Sequence, residues 1–366
     1  MKKKLVGMLA TATLLTMALA GNVQAAEIRS VGPDGEAAVD ASTIELTDDQ
    51  IAQIKEGGYT AAICLHYGGN DWSTSQQKGL EDTFGELGIE IVAVTDANFS
   101  AETQVSNIET VMAKKPDILV SIPTDATATA DAYKQAAAAG IKIVFMDQRA
   151  DGLEAGKDYV SVVSADNYGN GYASGTVLGD ALGGKGKVAM VYYDANFAPT
   201  NQRDEGFRDA MKNYPDIEIV TEQGFTDESG CAEQGDAILT QFPNIDGIYA
   251  SWDVPMEGVL SAVRAAGMEG KVTLACNDLG NNVAREIASG NIAGGGAQMP
   301  YDQGVAEAKL AALALLGEET PSYVAVPAET VTHENVLEAY TDVYHVETPD
   351  WLKEAYVELR TISNNR

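Results

Sequence analysis

The sequence is short of histidine and cysteine, and its abundant carboxylates are too many for any one pair to point to glycosidase machinery. Its 366 residues hold three histidines and three cysteines. His66, His333 and His345 are scattered along the chain, which supports neither a zinc cluster nor a Ser-His-Asp arrangement. Cys64, Cys231 and Cys276 are odd in number and lack paired spacing, and Cys64 and Cys276 lie in strand-like runs. Buried free thiols are therefore expected rather than a disulfide scaffold. No G-x-S-x-G turn and no P-loop occur. The run Gly169-Asn170-Gly171 follows a strand and opens a helix, as a dinucleotide-binding turn does, but the next glycine, Gly175, comes one place too late. Neither a cofactor nor a metal is expected. Basic residues are scarce as well, 24 Lys and Arg against 54 Asp and Glu, for a formal charge of −30. So acidic a chain repels nucleic acid and anionic membranes, and most of the excess serves solubility.

Long apolar runs are also missing: nothing approaches the roughly 18 uninterrupted apolar residues of a membrane-spanning helix. What does occur at the N-terminus is Lys2, Lys3 and Lys4, an apolar run over 5–20, and Val23-Gln24-Ala25 as a small-x-small pattern. This is the pattern of a secretory signal peptide over 1–25. Losing its three lysines turns the charge of −30 into −33. No cysteine follows the run to take a lipid. An exported, soluble, periplasmic chain is expected.

With 45% hydrophobic content, a chain of this length buries a full core and divides into two domains. Residues 26–58 read as an N-terminal extension that packs on the outside. From Tyr59 onward, strand-like runs at 61–65, 89–94, 118–122, 141–146 and 159–163 alternate with helical patterns at 73–88, 101–115 and 126–139. Ser73 is the expected start of the first of these helices, and Gly88 and Gly140 are expected stops. The alternation resumes with strands at 188–193, 217–221, 247–250 and 272–276 and helices at 200–213, 229–241, 255–266 and 279–288. A third passage, strand 292–299, helix 301–316 and strand 323–331, implies that the chain returns to the first unit and crosses once more. The fold class is α/β, two doubly wound parallel-sheet lobes joined by a three-segment hinge. The lobes are expected over 59–165 plus 299–322 and over 166–298 plus 323–345. A tail over 346–366 is expected as a surface appendage.

Open α/β sheets bind ligands at their carboxyl edges, and polar or aromatic residues recur at those edges here. Asn70, Asp71 and Trp72 follow the first strand, Asp125 the third, and Asp147, Gln148 and Arg149 the fourth. The second unit adds Asn201, Arg203, Phe225, Trp252, Asp253, Asn277, Asp278 and Gln298. Planar donors and acceptors hold several hydroxyls at once, and aromatic faces stack on the C–H side of a sugar ring, so together these residues describe a carbohydrate site. Each one also has a structural explanation: Trp72 and Trp252 as core, Asp147 as a turn cap, Arg203 as the partner of a neighbouring carboxylate.

The chain resembles the ribose-type sugar-binding proteins of ABC importers, which have the type I periplasmic binding fold. The matching stretches are PTDATA at 123–128, VFMDQRA at 144–150, SADNYGNG at 164–171, NQRDEGF at 201–207, ASWD at 250–253, ACNDLG at 275–280 and AQMPYDQG at 297–304. The resemblance implies a ring-stacking role for Trp72, hydroxyl partners in Asp147 and Arg203, and second-lobe and hinge contacts from Asp278 and Gln298. It also implies a membrane ABC permease as partner and a monomeric state. The chain departs from the family pattern where Ser73 replaces a second stacking phenylalanine and Ile122 an asparagine. Gln148 and Asn201 stand where arginines are expected, and Trp252 where an asparagine is. These departures turn the expectation from ribose toward another monosaccharide, a polyol or a less polar sugar derivative. The expected function is non-enzymatic capture of a small neutral ligand between two closing lobes. The alternatives are a sugar-sensing binding protein for a chemoreceptor or sensor kinase, or a secreted carbohydrate-active enzyme.

Overall fold

The run Ala61, Ala62, Ile63, Cys64 and Leu65 is buried throughout, as a central strand of a sheet covered on both faces must be. The structure, a computed structural model, describes residues 27–363, so the expected signal peptide lies outside the described residues. The strands are β1 (Val39–Asp40), β2 (Thr60–Leu65), β3 (Glu90–Asp96), β4 (Ile118–Ser121), β5 (Lys142–Met146), β6 (Ser161–Ala165) and β7 (Lys185–Tyr193). They continue with β8 (Asp216–Phe225), β9 (Gly247–Ala250), β10 (Thr273–Cys276), β11 (Gly294–Ala297), β12 (Tyr323–Val326) and β13 (Glu329–Thr332). The helices are α1 (Asp48–Gly57), α2 (Asp71–Glu86), α3 (Ala101–Ala113), α4 (Ala130–Ala138), α5 (Asn167–Ala181) and α6 (Ala198–Met211). After them come α7 (Cys231–Gln241), α8 (Asp253–Ala265), α9 (Asn281–Ala288), α10 (Pro300–Leu315), α11 (Val336–Tyr344) and α12 (Asp350–Ser363).

Two sheets result. One has seven strands in the order β1-β12-β6-β5-β4-β2-β3, the other six in the order β13-β11-β10-β9-β7-β8. All pairings are parallel except β13 against β11. Within each sheet the order reverses once, between β2 and β4 and between β7 and β9, and the loops leaving the strand ends diverge there to open a crevice. The chain passes between the sheets after β6, after β11 and after β12.

Several sequence expectations shift. The run 323–331 is not one strand, because Pro327 lacks the N–H a continuing ladder needs. Tyr323–Val326 pairs with β6 in the first sheet, and Glu329–Thr332 turns back against β11 in the second, so the third crossing falls after Val326 rather than at Tyr323. Helix α2 begins earlier than Ser73: Asn70 Oδ1 accepts from the Ser73 amide at 2.8 Å and caps it, which moves Trp72 into the first turn. The segment before α1 is not purely external, since Val39 and Asp40 add an edge strand beside β12. The tail is no loose appendage either, because Leu352 and Ala355 are buried in the second sheet's core. Gly88 and Gly140 adopt the left-handed φ, +70° and +87°, that lets a helix stop. Cys64, Cys231 and Cys276 are buried free thiols. Among the described residues no helix is long and apolar enough to cross a membrane.

The pair α5 and α6 explains the glycine run that imitates a dinucleotide turn. A side chain at Gly171 would run into the Arg203 carbonyl, and one at Gly206 into that of Tyr168. These glycines let two helices approach closely, and α6 carries Arg203.

Candidate functional site

Where the carboxyl edges of the two sheets face each other lies a cavity of about 50 Å³. The first sheet supplies His66, Tyr67, Asn70 and Trp72 after β2, Phe99 after β3, Ile122 after β4 and Asp147 after β5. The second supplies Tyr193, Phe197, Pro199, Thr200 and Arg203 from the end of β7 into α6, then Trp252, Asp278 and Gln298 after β9, β10 and β11. The lining therefore comes from the loops that the strand-order reversals push apart.

One wall is polar and already assembled. Arg203 is buried, and its Nη1 donates to Asp278 Oδ2 at 3.0 Å while its Nε donates to Asn167 Oδ1 at 2.9 Å. Gln298 Nε2 donates to Asp278 Oδ1 at 2.8 Å. Asp147 Oδ1 accepts from Ser164 Oγ at 2.9 Å and from Gln303 Nε2 at 3.3 Å. Asp147 and Asp278 hold φ values of +53° and +70°, a region non-glycine residues seldom occupy. The opposite wall is aromatic. His66 stacks on Phe197 with centroids 5.7 Å apart and meets Trp72, Tyr67 and Phe99 edge-on, while Tyr67 stacks on Phe99 at 4.1 Å.

The model of the periplasmic binding protein domain matches residues 61–319. The chain belongs to that family. It is 24% identical over 272 residues to the ribose import binding protein of Salmonella typhimurium, across 74% of this chain and 90% of the relative. It is 29% identical to the D-ribose/D-allose-binding protein of Pseudomonas aeruginosa, across 72% and 83%. The solved structure of an ABC transporter periplasmic solute binding protein from Actinobacillus succinogenes, with bound D-allose, superposes with a TM-score of 0.71 at 29% identity. That match covers 76% of this chain and 99% of the other. A solute binding protein from Agrobacterium vitis, bound with α-D-tagatopyranose, gives a TM-score of 0.72 at 26% identity, covering 80% and 100%.

In this periplasmic binding protein, Asn70, Trp72, Asp147, Arg203, Trp252, Asp278 and Gln298 line one cavity, and the other residues singled out in the sequence do not. Asp71 reaches across to α9, accepting from the Asn281 backbone N–H at 2.7 Å and from its Nδ2 at 2.8 Å. Gln148 donates to the Pro123 carbonyl and accepts from the Ala198 amide, so it too ties the lobes together. Arg149 points away into a two-pronged pair with Asp34. Asn201 is exposed. Phe225 packs in the core beside Trp252 and Tyr193. Asp253 accepts from the Val254 and Gly280 amides, and Asn277 is consumed by Tyr249, Ser251 and Ser174. The structural explanations hold alongside these placements: Arg203 pairs with Asp278, and both tryptophans belong to core clusters while facing the cavity.

Sequence reasoning missed His66, Tyr67, Phe99, Tyr193, Phe197, Pro199 and Thr200. Their signal was position, since His66 and Tyr67 directly follow β2 and Tyr193 ends β7. Ser73 stands in the place of a stacking ring but is buried, its hydroxyl bonded to the Asn70 carbonyl, while Phe99 and Phe197 arrive from other loops.

Burial dominates the electrostatics. It drives the His66 pKa down to about 3, so the ring is neutral. It raises Asp147 against the pull of Arg203, and raises Asp253 well above the usual carboxylate range, helped by Asp278. For Arg203 desolvation acts downward, but Asp278 and Asp147 outweigh it and keep the guanidinium charged.

Proposed function

We propose that this protein captures a small neutral ligand, a monosaccharide or polyol, between two closing lobes and delivers it to an ABC import permease. The observation that carries the reading is that Asp147 from the first sheet and Arg203, Asp278 and Gln298 from the second lie on one cavity walled by aromatic rings. Carboxylate, guanidinium and amide hold hydroxyls, and the rings cover C–H faces. A ligand touching both lobes favours the closed arrangement, and closure is what a permease recognises. The protein acts as a monomeric, exported, periplasmic binding protein rather than an enzyme, consistent with the binding-protein relatives. The residues assigned to ligand contact are Asn70, Trp72, Asp147, Arg203, Trp252, Asp278 and Gln298.

The test is a thermal-shift screen against pentoses, hexoses, polyols and nucleosides, because a ligand that binds only the folded state raises the melting temperature. Calorimetry on a hit should then show Asp147→Ala weakening binding by about tenfold or more, as loss of a hydrogen bond to a charged group does, and Trp72→Ala weakening it through lost stacking. Unchanged affinity in both variants with the fold intact, or turnover of the bound sugar, overturns the reading.

A further inference from the structure

The two walls of the cavity differ in how much polar capacity they leave for a guest. On the polar wall Asp147 keeps Oδ2 free of hydrogen bonds, Arg203 keeps Nη2, and Gln298 Oε1 is buried with no partner among the described residues. Three open groups thus face a ligand edge. On the aromatic wall the polar atoms sit on a few side chains and some are spent. The Tyr67 hydroxyl accepts from Asn70 Nδ2 at 2.6 Å, and Trp252 Nε1 donates to Glu228 at 2.8 Å. Among the described residues Trp72 Nε1 and His66 Nδ1 stay buried and unpartnered, and the Tyr67 and Tyr193 hydroxyls can still donate, so polar contacts on this wall are confined to those four side chains. Beside them Phe99, Ile122, Phe197 and Pro199 bring no side-chain polar atom at all, and Trp72, Ile122 and Phe197 are continuous with the first sheet's apolar core.

A ligand hydroxyl turned toward that stretch would leave water and find no partner, whereas a methyl group there exchanges water for rings. We infer that the ligand is a deoxy monosaccharide, with hydroxyls along one edge for Asp147, Arg203 and Gln298 and a methyl group in place of a hydroxymethyl against Phe197 and Ile122. This rests on the reading of the cleft as a monosaccharide or polyol site and narrows it to one chemical class.

The experiment is calorimetry on the full chain with matched pairs that differ by one hydroxyl: L-rhamnose against L-mannose, L-fucose against L-galactose, and 6-deoxy-D-glucose against D-glucose. At least one deoxy sugar should bind about tenfold or more tighter than its hydroxylated partner, the size of effect that an unsatisfied buried hydroxyl produces. Phe197→Tyr, which adds one hydroxyl to the apolar wall on an unchanged ring, should shrink that ratio severalfold while circular dichroism shows the fold intact. If sugars or polyols bind but every hydroxylated partner binds at least as tightly, the deoxy inference falls and the broader reading stands. If no sugar or polyol binds, both fall. An unchanged ratio in Phe197→Tyr also sinks the inference, because the wall would not be the source of the preference.

Discussion

The two lobes meet the cavity in opposite ways. In the second lobe the polar groups are tied to one another before any ligand arrives: Arg203 to Asp278 and Asn167, Gln298 to Asp278. In the first lobe only Asp147 does comparable service, while Asp71 and Gln148 spend their side chains on the facing lobe and Arg149 on the N-terminal segment. The first lobe instead brings His66, Tyr67, Trp72 and Phe99. The second lobe thus joins a preorganised hydrogen-bonding surface to the rings of Tyr193, Phe197 and Trp252, whereas the first is mostly an aromatic cover with latches beside it. Rigid polar geometry gives orientation, and the cover contributes area and excludes water.

Removing the cation at the centre of the preorganised side should produce the largest effect. Arg203→Ala leaves Asp278 and Asp147 in a buried site without their counter-charge, and breaking such a pair costs about 3–5 kcal/mol. Urea unfolding should record a loss of that order; a loss under about 1 kcal/mol would show that solvent already screens the pair. Gly171→Ala tests the same surface from beneath, by pushing α5 off the backbone of Arg203. Overpacking of this kind costs about 1–3 kcal/mol, and ligand affinity should fall with stability.

The aromatic side should reveal itself through pH. His66 is held neutral down to about pH 3 when folded, whereas its ordinary value is 6.5. Between pH 6.5 and about 3 the unfolded chain binds a proton at this residue that the folded chain refuses, so His66 contributes a loss of about 1.4 kcal/mol per pH unit as the solution is acidified. Asp204 works in the opposite sense. Burial raises it from 3.8 to about 6, so between those values the folded chain holds a proton that the unfolded chain releases, and acidification stabilises. Replacing His66 with phenylalanine should flatten the acid limb of the stability curve, measured by thermal melts from pH 7 to pH 4. An unaltered limb would place the acid sensitivity elsewhere. The smallest effect should come from a latch. Asp71→Ala removes two hydrogen bonds to Asn281 worth about 0.5–1.5 kcal/mol each. It should weaken ligand binding severalfold and raise the ligand-free radius of gyration in small-angle scattering, and an unchanged radius would mean that these bonds do not hold the lobes together.

The alternation of strands and helices was legible because each element's pattern is local. A fully apolar run such as 61–65 or 247–250 has nowhere to go but the middle of a covered sheet. Errors arose where a local rule had a competitor. Asn70 and Ser73 are both cap formers, and Asn70 takes the cap. Pro327 divides a run that otherwise reads as one strand. Glycines 169 and 171 look like a phosphate loop, yet Gly171 is there for close contact between two helices.

By itself the sequence determined that the chain is α/β and that polar and aromatic residues gather where strands end, and it offered no recognisable motif for metal or nucleophilic chemistry. Its strand-end pattern offered Asp147, Asp278 and Gln298 among many candidates, and the resemblance to the ribose-type binding proteins implied roles for these three and for Arg203 in the helix after β7. Only the tertiary structure decided which strand-end residues turn inward. Arg149 sits two residues from Asp147 but finds Asp34, 115 positions earlier, and leaves the cavity. Phe197 and Phe99 enter it from loops with no period to read. A side chain's direction at a strand end depends on the partner that another part of the chain presents, and that information is carried by the packing of the two sheets.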